Sequence, residues 1–237
     1  MSTGTPKKSG KATPKKAKTK KAKTVRKGRD LGLGLVFAAI LLPAIAGLGV
    51  IFVLSAPEQP ASGDGQAGRF AAQVGDPGPG EQAPPMKLPS TEGETFDLAS
   101  QCGETVLLYF QEGLGCQPCW DQIKDIEANI GEFEKLGIDE IVSITNNPPD
   151  ALEQKVEDEG ISTPVLSDPN LAVSKTYDTN SYGMMGGSTN GHTFIVVGPD
   201  GEIEWRADYG GAPDYTMYVP VPDLLADMRA GLDKGSS

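Results

Sequence analysis

Histidine and cysteine are scarce in this chain of 237 residues, which has three cysteines and a single histidine. A structural zinc site usually takes four cysteine or histidine ligands. Such a site would need every candidate in the chain, namely Cys102, Cys116, Cys119 and His192. The counts therefore disfavour structural zinc.

Large apolar side chains are nearly absent from residues 1–30, where Met1 and Val25 are the only ones. Such a segment cannot bury a core, so we predict a disordered tail. It holds twelve basic residues and one acidic residue, whereas the rest of the chain has nine basic and 31 acidic residues, a formal charge of −22. No aromatic residue is interleaved for base stacking, and the acidic remainder disfavours nucleic acid as the partner of the following domain.

Charged residues are absent from residues 31–54, an apolar stretch that as a helix is long enough to cross the roughly 30 Å hydrocarbon core of a membrane. Pro43 is expected to kink this helix. A cleaved signal peptide is the alternative, but the run is longer than a typical signal core and lacks a clear cleavage pattern. By the positive-inside rule, we predict a single-pass protein of the cell membrane with its N-terminus in the cytoplasm and its domain outside.

Proline, glycine and small residues dominate residues 55–75, which we interpret as a flexible linker. Residues 76–237 have the size of one domain. Their hydrophobic patterns alternate between strand and helix and predict an α/β fold. The predicted order is a strand at 104–110, a helix at 120–136, a strand at 139–147, a helix at 149–160, a strand at 163–168, a helix at 168–178, a hairpin at 192–208 and a helix at 222–235.

Two of the cysteines, Cys116 and Cys119, have CxxC spacing at the predicted junction of the first strand and the following helix. The N-terminus of a helix stabilises thiolate over thiol, so Cys116 is the expected nucleophile and Cys119 the resolving cysteine. Pro118 suits the first helical turn. Glu112 and Asp121 oppose the thiolate, so we expect only a moderately lowered pKa for Cys116. A structural staple is the alternative, although so short a loop stabilises little.

The domain resembles the thioredoxin-like superfamily, in particular the redoxin branch that includes peroxiredoxins and membrane-anchored thiol–disulfide oxidoreductases. The resemblance covers residues 76–237 and rests on the segment GEQAPPMKLPSTEGETFDLAS, the apolar strand VLLYF, the CxxC and the hairpin HTFIVVGPDGEI. It implies a thioredoxin-like fold with a central mixed sheet flanked by helices and no cofactor. The implied substrates are protein thiols or disulfides, or peroxide, with an unidentified electron donor.

Several positions depart from the family patterns. Gly115 replaces the tryptophan that thioredoxins place before the first cysteine, and Gly191 replaces their cis-proline. The peroxiredoxin motif PxxxTxxC has Tyr109 for its proline and Gly113 for its threonine. Dithiol exchange is therefore favoured over peroxide reduction. The residues expected to line a substrate groove are Pro118, Trp120, Met184, Met185 and Gly191.

A second resemblance is to membrane-anchored copper chaperones of cytochrome oxidase assembly, which bind copper through two cysteines and a histidine before a GPDG turn. His192 precedes such a turn, so the alternative copper ligands are Cys116, Cys119 and His192. Their cysteines are normally spaced CxxxC. Cys102 is expected to be a half-buried free thiol, with a third redox thiol as the alternative.

Overall fold

A computed structural model describes residues 65–235. The predicted tail at 1–30, the predicted span at 31–54 and the first part of the predicted linker lie outside this range. Within the described range, no helix is long and apolar enough to cross a membrane.

The core of the domain is a five-stranded mixed sheet with β3 at its centre. The strand order is β5-β4-β3-β6-β7, in which β3, β4 and β5 run parallel while β6 and β7 are antiparallel to their neighbours. The strands are β1 Lys87–Pro89, β2 Thr95–Asp97, β3 Val106–Phe110, β4 Glu140–Thr145, β5 Val165–Ser167, β6 Thr193–Val197 and β7 Ile203–Asp208. The helices are α1 Gln117–Ala128, α2 Ile130–Glu134, α3 Pro149–Glu159, α4 Ala172–Thr176 and α5 Val221–Gly235. Sheet and helices therefore follow the predicted α/β order.

Both faces of the sheet are covered, which explains why β3 is an uninterrupted apolar run. Leu107 and Tyr109 belong to a core cluster shared with α1, α3 and α5. Val106, Leu108 and Phe110 point to the opposite face and join a second cluster with residues of the β1–β2 hairpin and Tyr177. The two-residue repeat of a strand thus divides β3 between two cores.

The helix predicted at 120–136 is two helices, because it breaks at Asn129 between α1 and α2. The Asn129 side chain donates a hydrogen bond to the Asp125 carbonyl at 2.8 Å. Asparagine competes in this way with the backbone bonds of a helix, and hydrophobic periodicity does not register the effect.

Part of the predicted linker belongs to the domain, so the boundary at residue 76 needs correction. The Gln73 backbone pairs with that of Asp208, and the Gly75 N–H donates to the Asp208 carboxylate at 2.7 Å. Asp208 also forms a fully buried ion pair with Arg206 at 2.8 Å. Most of residues 65–75 are polar or small, but their backbone groups find partners on β7 and α5, and Phe70 packs against the core.

Candidate active site

Cys116 and Cys119 lie at the junction between the end of β3 and the start of α1, as the sequence predicts. Cys116 is the N-cap residue of α1, and Pro118 is an exposed residue of its first turn. The two cysteines form a disulfide with their Cα atoms 5.4 Å apart. The structure therefore shows the oxidised state of the pair.

The loop before Cys116 is held by hydrogen bonds that converge on Gly113. The Gly113 carbonyl accepts the Cys116 N–H and the indole N–H of Trp120, both at 3.0 Å. The Leu114 N–H donates to Oδ1 of Asn147 at 2.9 Å, which ties the loop to the segment after β4. These bonds fix the backbone that leads into the disulfide.

Trp120 does not line a groove, contrary to the prediction. Its side chain is fully buried in the core cluster beneath the sheet, and its indole N–H is used by Gly113. The Lys155 ammonium lies over the ring at 5.4 Å from its centre. Trp120 therefore holds the cysteine loop through its hydrogen bond to Gly113 and is inaccessible to a substrate.

Gly191 is buried as well, so its predicted place in the groove is also wrong. A Cβ atom at this position would lie 1.4 Å from the Tyr182 carbonyl oxygen, so two backbone segments meet here with no room for a side chain. The cis peptide bonds of the described residues precede Pro77 and Pro213. Gly191 is required for close packing between the loop after α4 and the start of β6.

Met184 and Met185 are exposed, at 56% and 59% of their surface. Their loop is joined to the cysteine loop, because the Met184 N–H donates to Oε1 of Glu112 at 2.7 Å. The two methionines are thus available to a partner molecule, and their predicted role in a groove stays a prediction.

Met217 is the residue at the disulfide that sequence reasoning missed. It forms a buried apolar cluster with Cys116 and Cys119. The sequence gave no reason to select Met217, which lies in no periodic element. Only the path of the chain between β7 and α5 brings it to the sulfur atoms.

His192 is completely buried among aromatic rings, with Tyr109 and Phe194 at 5.2 and 5.1 Å between ring centres. Its Nδ1 is 2.9 Å from the Thr216 carbonyl oxygen, and Nε2 has no hydrogen-bond partner. Burial lowers the pKa of His192 to about 3. The ring is therefore neutral over the physiological range, and Nδ1 is the nitrogen that carries the proton and donates to Thr216.

The copper alternative, with Cys116, Cys119 and His192 as ligands, stays a prediction, since this structure shows the two cysteines in their oxidised form. Among residues 65–235, no group of three or more histidine, cysteine or acidic side chains is arranged to hold a metal ion. Cys116 and Cys119 are joined to each other, and the proton on His192 Nδ1 is used by a backbone carbonyl.

Tyr109 links the histidine to the cysteines. Its hydroxyl lies 3.4 Å from the Cys119 carbonyl oxygen, while its ring stacks on Phe194 at 4.5 Å. Burial, followed by the nearby Glu112 carboxylate, raises the pKa of Tyr109 well above its usual range. Tyr109 therefore stays protonated and acts as a donor.

A network of charges joins the first turn of α1 to α3. Glu159 accepts hydrogen bonds from Lys124 at 2.7 Å and from Lys155 at 2.6 Å. These bonds lower the pKa of Glu159 to about 2. Gln117, which lies between the two cysteines, donates to the same carboxylate at 3.3 Å. The network restrains the exposed side of the CxxC turn.

Similarity to known proteins covers most of the described domain. The sequence model of the AhpC/TSA family matches residues 79–206. The chain belongs to the AhpC/TSA family. It is 32% identical over 130 residues to a Mycobacterium tuberculosis protein named as a peroxiredoxin, covering 53% of this chain and 81% of the relative. It is 34% identical over 99 residues to the thiol-disulfide oxidoreductase ResA of Halalkalibacterium halodurans, covering 41% of this chain and 55% of ResA.

Solved structures agree on the fold of this AhpC/TSA protein. The peroxidoxin BcpB of Mycobacterium tuberculosis superposes with a TM-score of 0.53 at 19% identity, covering 65% of this chain and 97% of BcpB. AhpC of Enterococcus faecalis gives a TM-score of 0.56 at 14% identity, covering 67% and 94%. The predicted thioredoxin-like fold is confirmed. The chain is an oxidoreductase with peroxiredoxin-like and thiol–disulfide oxidoreductase relatives.

One position of the AhpC/TSA protein shows why its peroxiredoxin motif is incomplete. Gly113 stands where the motif has threonine, and its φ of 89° is in the left-handed region. A Cβ atom there would lie 1.9 Å from Oδ1 of Asn147 and 2.3 Å from Oγ1 of Thr145. The space for a hydroxyl-bearing side chain is thus occupied by the residues that hold the loop.

Cys102 is exposed, which corrects the half-buried thiol that the sequence suggested. It precedes β3, whereas Cys116 follows that strand, so the two cysteines lie toward opposite ends of the sheet. Five strand residues alone extend roughly 17 Å, far beyond the reach of a disulfide. Cys102 therefore cannot pair with Cys116 within one folded chain.

Proposed function

We propose that this AhpC/TSA protein is a thiol–disulfide oxidoreductase in which Cys116 is the nucleophile and Cys119 the resolving cysteine. The Cys116 thiolate attacks a substrate disulfide, forms a mixed disulfide and releases one substrate thiolate. Cys119 then attacks the Cys116 sulfur, releases the second substrate thiol and leaves the Cys116–Cys119 disulfide. Two electrons pass to the substrate in this cycle, and a dithiol donor restores the reduced pair.

The observation that carries this proposal is the position of the disulfide at the N-terminus of α1. Cys116 is the N-cap, so its sulfur is near the positive end of the helix dipole, which favours thiolate. Cys119, one turn into the helix, is within bonding distance. The same bond that the structure shows is the product of the proposed cycle.

Peroxide reduction at Cys116 is the second candidate, supported by the AhpC/TSA family match and the relative named as a peroxiredoxin. There the Cys116 thiolate would take one peroxide oxygen as a sulfenate and release an alcohol or water. Cys119 would then displace water and form the same disulfide. The filled space at Gly113 favours dithiol exchange over this variant.

One comparison of substrates tests the proposal. The reduced full-length chain, solubilised in mild detergent, is mixed separately with insulin, hydrogen peroxide and Cu(I). We expect insulin disulfides to be reduced and the Cys116–Cys119 disulfide to form in equal amount, as measured by thiol alkylation and mass. Peroxide consumption without insulin reduction would contradict thiol–disulfide exchange and support peroxide reduction as the function. Tight Cu(I) binding that His192→Ala abolishes would support the copper alternative instead.

We further propose that residues 31–54 anchor the chain in the cell membrane and that the domain lies outside the cytoplasm. The uncharged length of that stretch and the twelve basic residues before it support this orientation. The proposal concerns residues outside the described range, so its test uses the whole chain in cells.

Cys102 offers a probe of this orientation, because it is exposed and free whereas the other two cysteines are bonded. We expect a membrane-impermeant maleimide to label the chain in intact cells, and Cys102→Ser to remove the label. Labelling that requires permeabilised cells would contradict the orientation. Release of the chain by alkaline carbonate would contradict the anchor.

A further inference from the structure

The disulfide of this protein is almost sealed from solvent, although it lies at a helix terminus. Cys116 is 6% exposed and Cys119 is 0% exposed. Met217, itself 8% exposed, packs against both cysteines. Only a small part of Cys116 is left open to a thiol or disulfide from outside, and Met217 is the apolar side chain that packs beside it.

Met217 is held from its N-terminal side by His192. The His192 Nδ1–H donates to the carbonyl of Thr216, the residue directly before Met217, at 2.9 Å. The His192 carbonyl accepts the N–H groups of Tyr209 and Gly210 at 2.9 and 3.2 Å. His192 thus uses its side chain and its backbone to fix both ends of the loop between β7 and Met217.

Met217 is held from its C-terminal side by α1, the helix that carries the cysteines. The Val219 N–H donates to Oε1 of the buried Gln122 at 2.7 Å, and the Tyr218 hydroxyl donates to Asp125. Because the neighbours of Met217 are fixed on both sides, its side chain is directed onto the disulfide by the backbone. The packing of Met217 against the disulfide is therefore part of the folded structure.

We propose that Met217 determines which thiols reach the Cys116–Cys119 disulfide, and that His192 is the positioning residue that keeps Met217 in place. A methionine side chain is unbranched and flexible, so it can yield to a narrow reactant while it still excludes a broad one. This role rests on the proposed exchange function, and the size of the thiol is the property that Met217 selects. Narrow thiols, or a single extended chain that presents a cysteine, are the favoured reactants.

Two thiols of different bulk, 2-mercaptoethanol and glutathione, test the role of Met217. The full-length chain carries Cys102→Ser so that only the disulfide is read, and its opening is followed by acid quench and alkylation. We expect Met217→Ala to raise the rate with glutathione about tenfold and the rate with 2-mercaptoethanol by less than about twofold, since access and not thiol chemistry has changed. Met217→Leu keeps the bulk and is expected to keep the wild-type ratio of the two rates.

Ile130→Ala is the matched control, because it shortens another large apolar side chain that is 45% exposed and belongs to α2, away from the disulfide. It should leave both rates unchanged. Equal rate ratios in wild type and Met217→Ala would overturn the proposal. This readout does not require a protein substrate, so it remains decisive if insulin is not reduced and the exchange function fails.

Two substitutions test the positioning role of His192. His192→Leu removes the donor to Thr216 and is expected to raise the glutathione rate as Met217→Ala does. His192→Asn keeps a side-chain N–H close to the position of Nδ1 and is expected to restore the wild-type ratio. A His192→Leu chain that keeps both the circular dichroism spectrum and the wild-type ratio of the two thiol rates would show that His192 does not position Met217. If His192→Leu does not fold, the double variant His192→Asn/Met217→Ala is compared with His192→Asn. A higher ratio of the glutathione rate to the 2-mercaptoethanol rate in the double variant would support the role of Met217, and an equal ratio would overturn it.

Discussion

Cys116→Ser is expected to abolish disulfide exchange, lowering the rate of insulin reduction by about a thousandfold or more, because a serine hydroxyl cannot replace a thiolate as nucleophile or form a disulfide. The fold should survive, since serine is close to cysteine in size and is favoured at a helix N-cap, and a four-residue disulfide loop contributes little chain entropy. Steady-state insulin turbidity and far-ultraviolet circular dichroism measure the two expectations.

Cys119→Ser should behave differently, because the first step of the cycle remains possible. A mixed disulfide between Cys116 and the substrate is expected to accumulate, and mass spectrometry would identify the bonded cysteine. Cys102→Ser is the control and should exchange at the wild-type rate, since it lies at the far end of β3. A mixed disulfide that forms on Cys119 in Cys116→Ser, with none on Cys116 in Cys119→Ser, would reverse the two roles.

The order of strands and helices could be predicted because local patterns determine it. Every residue of β3 is apolar and buried, and Ile123 and Ile126 of α1 repeat at helical spacing on the face that meets the sheet. The predicted end of α3 at Gly160 is also confirmed. These features need only the sequence neighbourhood of each residue, which is why the α/β order and the corner that holds the CxxC are as predicted.

The errors have a different physical origin, since each depends on contacts between residues far apart in the chain. Gly191 was expected in a groove because it aligns with the cis-proline of thioredoxins, and Trp120 was expected there because it follows the second cysteine. Gly191 instead meets the Tyr182 backbone, and Trp120 fills the core. Met217 has no local pattern, and its contact with the cysteines follows from the path after β7. Residues 65–75 have the composition of a linker, yet bind through backbone groups that composition does not represent.

Gly113 explains how a member of the AhpC/TSA family can lack the threonine of the peroxiredoxin motif. Its carbonyl accepts hydrogen bonds from Cys116 and Trp120, and its missing side chain leaves room for the amide of Asn147. The Asn147 oxygen in turn holds the Leu114 N–H. The loop before the nucleophile is therefore built around a residue without Cβ, and backbone and amide hydrogen bonds occupy the place of the hydroxyl.

Gly113→Thr, which restores the motif residue, is accordingly expected to destabilise the protein without creating a peroxidase. The left-handed φ of 89° disfavours a β-branched residue, and the new Cβ would displace Asn147 and Thr145. Strain of about 1–3 kcal/mol and the loss of the two hydrogen bonds that Asn147 accepts, about 1 kcal/mol or less each, together predict a decrease of roughly 2–4 kcal/mol in the free energy of unfolding. Urea unfolding followed by tryptophan fluorescence measures this decrease, because Trp120 and Trp205 are both buried in the folded protein.

Gly115→Thr is the matched control, since it makes the same substitution two residues later, where no atom lies within 4 Å of the new Cβ. Its effect on the free energy of unfolding should stay within about 1 kcal/mol, as for other exposed loop positions. Equal stability of the two variants would contradict the role of Gly113 in the loop. A stable Gly113→Thr chain that consumes peroxide faster than wild type would show that the missing hydroxyl, and not the cysteine loop, had limited peroxide chemistry in this protein.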